Sequence, residues 1–298
     1  EIQARDNLLF QLRNHFSDAW QRSSDLYGIF PLAPEESGPE GQLHSRNARH
    51  RAKSVLLISG LDDPGYAWQE LGPVLVKNGF SVFVFVYPND QSIEASTDLL
   101  YDRLMDFPRD SSLALVCHSM GGLVARNLLT RPDPDSSGRS FSGLVPRIDT
   151  LIMVGSPHQG SQLARFRIFL EVRDQVYQWR HANVSWIHGL LDGTGSAGVQ
   201  LLPGSSFLRG LNQRSLPPQV SSWMIAGRLL PFSGAVSDVL GDGLVSMDSG
   251  LARRLAQGAE SAAMEVSGSH MGMLTKSLKN GSRQPPAIPL ILNILSRK

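Results

Sequence analysis

From Ser54 onward, short runs of consecutive apolar residues alternate with longer stretches in which apolar positions recur at three- and four-residue steps. The short runs, Ser54–Ser59, Ser81–Tyr87, Ser112–Cys117, Thr150–Val154, Ser221–Ala226 and Ala262–Val266, predict strands. The longer stretches predict helices over Ala67–Asn78, with Gly79 as its stop, and over Ser92–Phe107, Met120–Leu129 and Ala287–Ser296. Strand and helix alternating at this spacing predict an α/β fold, a mostly parallel central sheet of about six strands flanked by helices on both faces. In such a sheet, reactive groups sit on loops beyond the carboxyl ends of the strands.

Two segments depart from the alternation. Over residues 5–27, Leu9, Leu12, Phe16 and Trp20 mark one face of a helix, with Arg13, Asp18 and Arg22 between them. Charges of both signs favour a helix packed on its own domain over one lying on a membrane surface. Residues 31–52, with early prolines and glycines, read as a connector, so 1–52 is expected to be an N-terminal helix and connector packed on the core. The second departure is residues 161–220, which separate two consecutive strands. Its stripe of Leu163, Phe166, Phe169, Leu170, Val172, Val176, Tyr177 and Trp179 is wider than one packing face needs. The expectation is a cap or lid inserted into a core made of 53–160 and 221–298, with Phe166, Phe169 and Leu170 offered to an apolar substrate. An extra helical layer is the plainer alternative for such a stripe.

Composition narrows the function classes. With 298 residues, 41% apolar and 18% charged, the chain can bury a large core. Its 28 basic and 27 acidic residues leave no electrostatic footprint for nucleic acid. One cysteine, Cys117, excludes an internal disulfide and a cysteine-based metal cluster. His181 and His188 stand seven apart with no third ligand at a useful spacing, so no metal or organic cofactor is expected. No apolar run approaches the about 20 residues of a membrane span. The chain opens on Glu1, and the expectation is that an upstream piece has been removed.

Candidate chemistry starts at Cys117-His118-Ser119-Met120-Gly121-Gly122, between a buried strand and a helix. A serine on such a sharp turn is lifted clear of its neighbours, beside a helix start that favours negative charge. Its base should come from elsewhere in the chain. His118 is adjacent, and adjacent side chains on this turn point apart, so it is set aside. His270, in Gly-Ser-His-Met-Gly just past the last strand, can return over the sheet edge. The orienting acid should lie between the two: Asp242, in Gly-Asp-Gly-Leu-Val-Ser, or Asp238 four residues earlier. Two amides should hold a tetrahedral oxyanion, those of Met120 and of Leu61 in the loop 59–65. His158, in Ser-Pro-His-Gln-Gly after the fourth strand, reads as a loop-ordering residue near the site and a candidate for the substrate pocket.

These segments together resemble α/β-hydrolases of the serine lipase and carboxylesterase type, in the branch that includes bacterial lipases and deacylases acting on lipid anchors. The matching pieces are Ser-Gly-Leu at 59–61, Cys-His-Ser-Met-Gly-Gly at 117–122 and Gly-Ser-Pro-His-Gln-Gly-Ser at 155–161. Leu-Pro-Gly-Ser-Ser-Phe-Leu at 202–208, Gly-Asp-Gly-Leu-Val-Ser at 241–246 and Gly-Ser-His-Met-Gly at 268–272 complete the set, in the family's order. The resemblance implies Ser119 as nucleophile, His270 as base, Asp242 as acid, and Leu61 with Met120 as amide donors. Two positions depart from the pattern: Ser59 stands where the family has histidine, and Cys117 where its elbow begins with glycine. Cys117 belongs to the buried strand and is not a second nucleophile.

The activity so implied is hydrolysis of a lipid-like or medium- to long-chain ester through an acyl-enzyme. A thioesterase, amidase or acyltransferase would use the same triad, and a non-catalytic binding protein could keep the same fold. The expected partner is a small-molecule or lipid ester, with transient contact to a lipid interface and none to nucleic acid. The likeness, with Glu1 at the start, leans toward an exported or periplasmic protein over a cytoplasmic one.

Overall fold

The computed structural model describes residues 27–32, 53–61, 63, 65–89, 91–108, 112–131, 148–161, 196–252, 262–276 and 284–297. Its strands are β1 (Gly28–Pro31), β2 (Ser54–Ile58), β3 (Ser81–Val86), β4 (Leu113–His118), β5 (Ile148–Val154), β6 (Ser221–Arg228) and β7 (Ala262–Ser267). The helices are α1 (Leu71–Lys77), α2 (Ile93–Met105), α3 (Met120–Thr130), α4 (Ser196–Gln200), α5 (Ser206–Asn212), α6 (Ala235–Leu240), α7 (Met247–Leu251) and α8 (Ala287–Leu295), with a 3₁₀ turn at Tyr66–Trp68. The strands form one sheet in the order β1-β3-β2-β4-β5-β6-β7. Every pairing from β3 to β7 is parallel, and β1 alone runs antiparallel, on the edge against β3.

The central strands read as unbroken apolar runs because helices cover both faces and leave no wet side. Alternate residues serve opposite layers. Leu56, Ile58, Leu113, Leu115 and Cys117 join Leu100, Leu104, Leu123 and Leu128 of α2 and α3 in one core. Val55, Leu57, Ala114 and Val116 join Leu71 and Leu75 of α1 and Ile288 and Ile291 of α8 in the other. Each such leucine or isoleucine, fully withdrawn from water, contributes about 1.5–3 kcal/mol.

The strand and helix expectations hold to within a few residues at each end. β1 is an addition: it adds a seventh strand to the expected six, at the point where the connector was expected to begin. The long helix expected at 67–78 is a 3₁₀ turn followed by the shorter α1. Of the expected cap, residues 162–195 lie outside the described residues, as do all but Tyr27 of the helix expected over 5–27 and most of the expected connector. The described end of that segment, 196–220, packs down: Ala197, Leu201, Phe207, Leu208, Leu211 and Val220 belong to the α2–α3 core.

Candidate active site

Because β2 and β4–β7 run in one direction, their carboxyl ends share one rim, and the loops leaving them carry the candidate residues. The ladder extends one residue past β4, where the Ser119 amide donates to the Val154 carbonyl at 2.9 Å. The chain then reverses: Ser119 has φ 52° and ψ −127°. A side chain held at positive φ costs of order 1–3 kcal/mol and needs its surroundings to impose it. Those surroundings are glycines. A Cβ on Gly121 would lie 2.3 Å from the Ile58 carbonyl oxygen, so only glycine lets α3 press against the end of β2. A Cβ on Gly60 would lie 2.7 Å from Ser119 Cβ, so the loop after β2 also touches the serine directly.

That loop is fastened by side chains from three places. Trp68 Nε1 donates to Ser59 Oγ at 2.8 Å, and the Tyr87 hydroxyl donates to the Ser59 carbonyl at 2.6 Å. Asn89 Nδ2 donates to the Gly60 carbonyl at 2.9 Å. Asp63 Oδ1 accepts from the amides of Gly65 and Tyr66, and Oδ2 from that of Ala67. Burial, with Cys117 and Asp63 nearby, pushes the Tyr87 hydroxyl far above its ordinary value, so it stays a donor. Ser59, where the family pattern has histidine, is thus an anchor of the loop that presents Leu61. Trp68, Tyr87 and Asn89 were not singled out from the sequence; only the Asp63-Pro64-Gly65 turn had a local signature. The Met120 amide opens α3 and has no carbonyl behind it in the helix.

Across the rim, His270 Nδ1 and Asp242 Oδ2 lie 2.8 Å apart, with the two residues 7% and 2% exposed. The His270 amide donates to the Asp242 carbonyl at 3.0 Å, so backbone and ring are tied to the same residue. Asp242 Oδ1 accepts from the amides of Leu244 and Val245 at 2.9 and 2.8 Å. A carboxylate so held is an acceptor for the imidazole N–H, which puts the ring's lone pair on Nε2. Gly155 makes room for the pair: a Cβ there would lie 3.1 Å from His270 Cε1 and 3.2 Å from Asp242 Oδ2. Asp238 is elsewhere, its Oδ1 accepting from Arg228 at 2.7 Å. No hydrogen bond joins Ser119 Oγ to His270 here; in unliganded sites such bonds are often long and tighten with substrate.

His158 is buried, with Nδ1 3.0 Å from Arg126 NH1 and its carbonyl accepting from Asn212 at 2.8 Å. Burial and the Arg126 charge hold it well below the ordinary histidine value, so it is a neutral acceptor that orders its loop. The residue is 1% exposed. Phe166, Phe169 and Leu170 lie outside the described residues. The Cys117 thiol is fully buried, and burial pushes its pKa up, which keeps it unreactive.

Comparison with known proteins gives the same architecture. Residues 93–200 match the family model of the PGAP1-like alpha/beta domain, from α2 through the elbow to α4. No curated protein matches by sequence. Among solved structures, the chain is similar to the mature lipase BlEst2 of Bacillus licheniformis at a TM-score of 0.57 and 18% identity, over 90% of this chain and 98% of that one. It is similar to the Staphylococcus hyicus lipase at a TM-score of 0.58 and 14% identity, over 83% and 95% of the two chains. A metagenomic carboxyl esterase, MGS0156, aligns at a TM-score of 0.55 and 17% identity, over 82% of this chain and 75% of that one. With its sheet order, its elbow and these likenesses, the chain has the α/β-hydrolase fold.

Proposed function

We propose that the protein hydrolyses carboxylic esters with an apolar acyl group, using Ser119 as nucleophile. The observation that carries this reading is the pairing of a strained serine elbow with a buried imidazole–carboxylate couple on the same rim. In the reaction, Ser119 Oγ attacks the acyl carbon and its proton passes to His270 Nε2. The amides of Leu61 and Met120 receive the oxyanion, at a benefit of about 3 kcal/mol for each donor. Collapse expels the alcohol, which takes the proton from His270. Water, deprotonated by the same ring, then releases the acid and restores the serine. Asp242 holds the ring with Nδ1–H inward and stabilises its charged form.

Two features support an apolar substrate. One is the apolar stripe at 163–179, expected from the sequence to belong to a cap. The other is the exposed side chains of Leu229, Phe232, Val236, Val239, Leu240 and Leu244, in the segment that leads into and out of Asp242. This segment suits contact with a lipid interface that presents substrate to the rim.

A fluorophosphonate probe tests the nucleophile. Stoichiometric labelling that disappears in Ser119→Ala, together with faster turnover of p-nitrophenyl esters as the acyl chain lengthens beyond acetyl, is the expected result. A folded protein that takes up no label would remove the catalytic reading. Preference for acetyl esters would remove the apolar substrate alone.

A further inference from the structure

His118 was set aside as a base because it precedes the serine, yet it is one of the most confined polar groups in the molecule. Its ring is 2% exposed, edge-on to Trp68 with centroids 6.5 Å apart and tilted against the His270 ring at 4.7 Å. Nε2 lies 3.3 Å from the His270 carbonyl oxygen. Among the described residues Nδ1 has no hydrogen-bond partner, and it stands 4.0 Å from Asp63 Oδ2. Burial and the neighbouring His270 hold His118 neutral, at about 3, so the Asp63 approach is not an ion pair. A neutral imidazole has one N–H, and a carbonyl oxygen can only accept. The proton therefore belongs on Nε2.

We propose that His118 is a positioning residue, whose Nε2–H clamps the His270 carbonyl and so sets the separation of the base from the nucleophile one residue away. The geometry makes this the missing third tie. Asp242 fixes the ring and the amide of His270, but both bonds run toward the acid loop. Among the described residues, the His270 carbonyl is met by His118, and that bond reaches back to the backbone that carries Ser119. Asp63, on the far side of the imidazole, is itself the cap of the loop presenting Leu61. The ring thus lies between the oxyanion loop and the base loop. This inference rests on the ester-hydrolase reading for its kinetic arm and is independent of it in the spectroscopic one.

The test compares His118→Phe, which keeps a ring of similar shape without a donor, with His118→Gln, whose amide nitrogen reaches about where Nε2 stands. Turnover of p-nitrophenyl butyrate is counted per fluorophosphonate-reactive site, so unfolded protein does not enter. His118→Phe is expected to lose kcat by on the order of ten- to a hundredfold with KM little changed, the scale for misplaced catalytic groups. His118→Gln should recover most of it. In parallel, the low-field proton NMR signal of His270 Nδ1–H should be sharp in the parent and Gln proteins and broadened or shifted in the Phe protein. Parent-like kcat and an unchanged signal in His118→Phe would overturn the clamp. Should the Phe protein fail to fold, His118→Met, of similar length and also without a donor, replaces it with the same expectations. A parent protein without turnover would count against the ester reading, and the NMR comparison would still decide the clamp.

Discussion

A methyl group added at Gly60 would lie 2.7 Å from Ser119 Cβ, 3.2 Å from its Oγ and 3.2 Å from the His118 carbonyl. None of these atoms ends a long flexible side chain, so the contact cannot be relieved by a rotamer change. Either the elbow or the Leu61 loop must move, and each carries part of the proposed machinery. Gly60→Ala is therefore expected to lower kcat for a soluble ester by on the order of a hundredfold. Its effect on thermal stability should be small, because the loop is held from Ser59 and Asp63 on either side. Steady-state kinetics with a melting curve on the same preparation checks this; full activity would show that the loop and the serine do not meet as described.

At the scale of elements, the rim is held by neutral histidines in places where a charged one would be costly. His118, under the loop after β7, is held at about 3 against an ordinary 6.5, and His158, after β5, is also held well below that value. Between those values the unfolded chain binds protons that the folded one refuses, so stability rises with pH there. Their contribution is complete above about pH 6.5 and is lost as the pH falls below it. Chemical denaturation at a series of pH values should show unfolding free energy dropping from pH 7 to pH 5, by at most about 1.4 kcal/mol per unit for each histidine. His118→Gln should flatten the slope; an unchanged slope would mean that other groups set it. What was legible in the sequence follows the same divide between local and non-local causes. The elbow, the acid between glycines and the late histidine are short patterns, each imposed by its own turn. β1 was not legible, because four residues of edge strand acquire their pattern only by pairing with Val86 to Phe83. Nor were Trp68, Tyr87 and Asn89 as anchors of one loop, since they converge from a 3₁₀ turn and from beyond β3. α6 escaped notice because its apolar residues face outward, so that no amphipathic pattern points to the core.

For the whole molecule, that outward face is the feature that folding alone does not explain. Among the described residues, six of the ten large apolar side chains left exposed fall between Leu229 and Leu244, with Phe232 at 57%, Val236 at 73% and Val239 at 72%. Val236, Val239 and Leu240 stand three and four residues apart, so they share one side of α6. The only charges in the segment are Asp238, paired with Arg228, and Asp242, buried on His270. A concentrated apolar face without free charge gains by entering a neutral lipid surface and gains nothing from anionic headgroups. Its place beside Asp242 would bring the rim to that surface. The protein is expected to co-sediment with zwitterionic phosphatidylcholine vesicles, with little loss on raising salt from 0.1 to about 0.5 M, where surface electrostatics are screened. Phe232→Ser combined with Val236→Asp and Val239→Asp should abolish sedimentation and slow emulsified long-chain esters while sparing a soluble short-chain one. Equal vesicle binding by the triple variant would move the interface elsewhere. A parent that stays in the supernatant but self-associates through this face would make a second copy, and no lipid, its occupant.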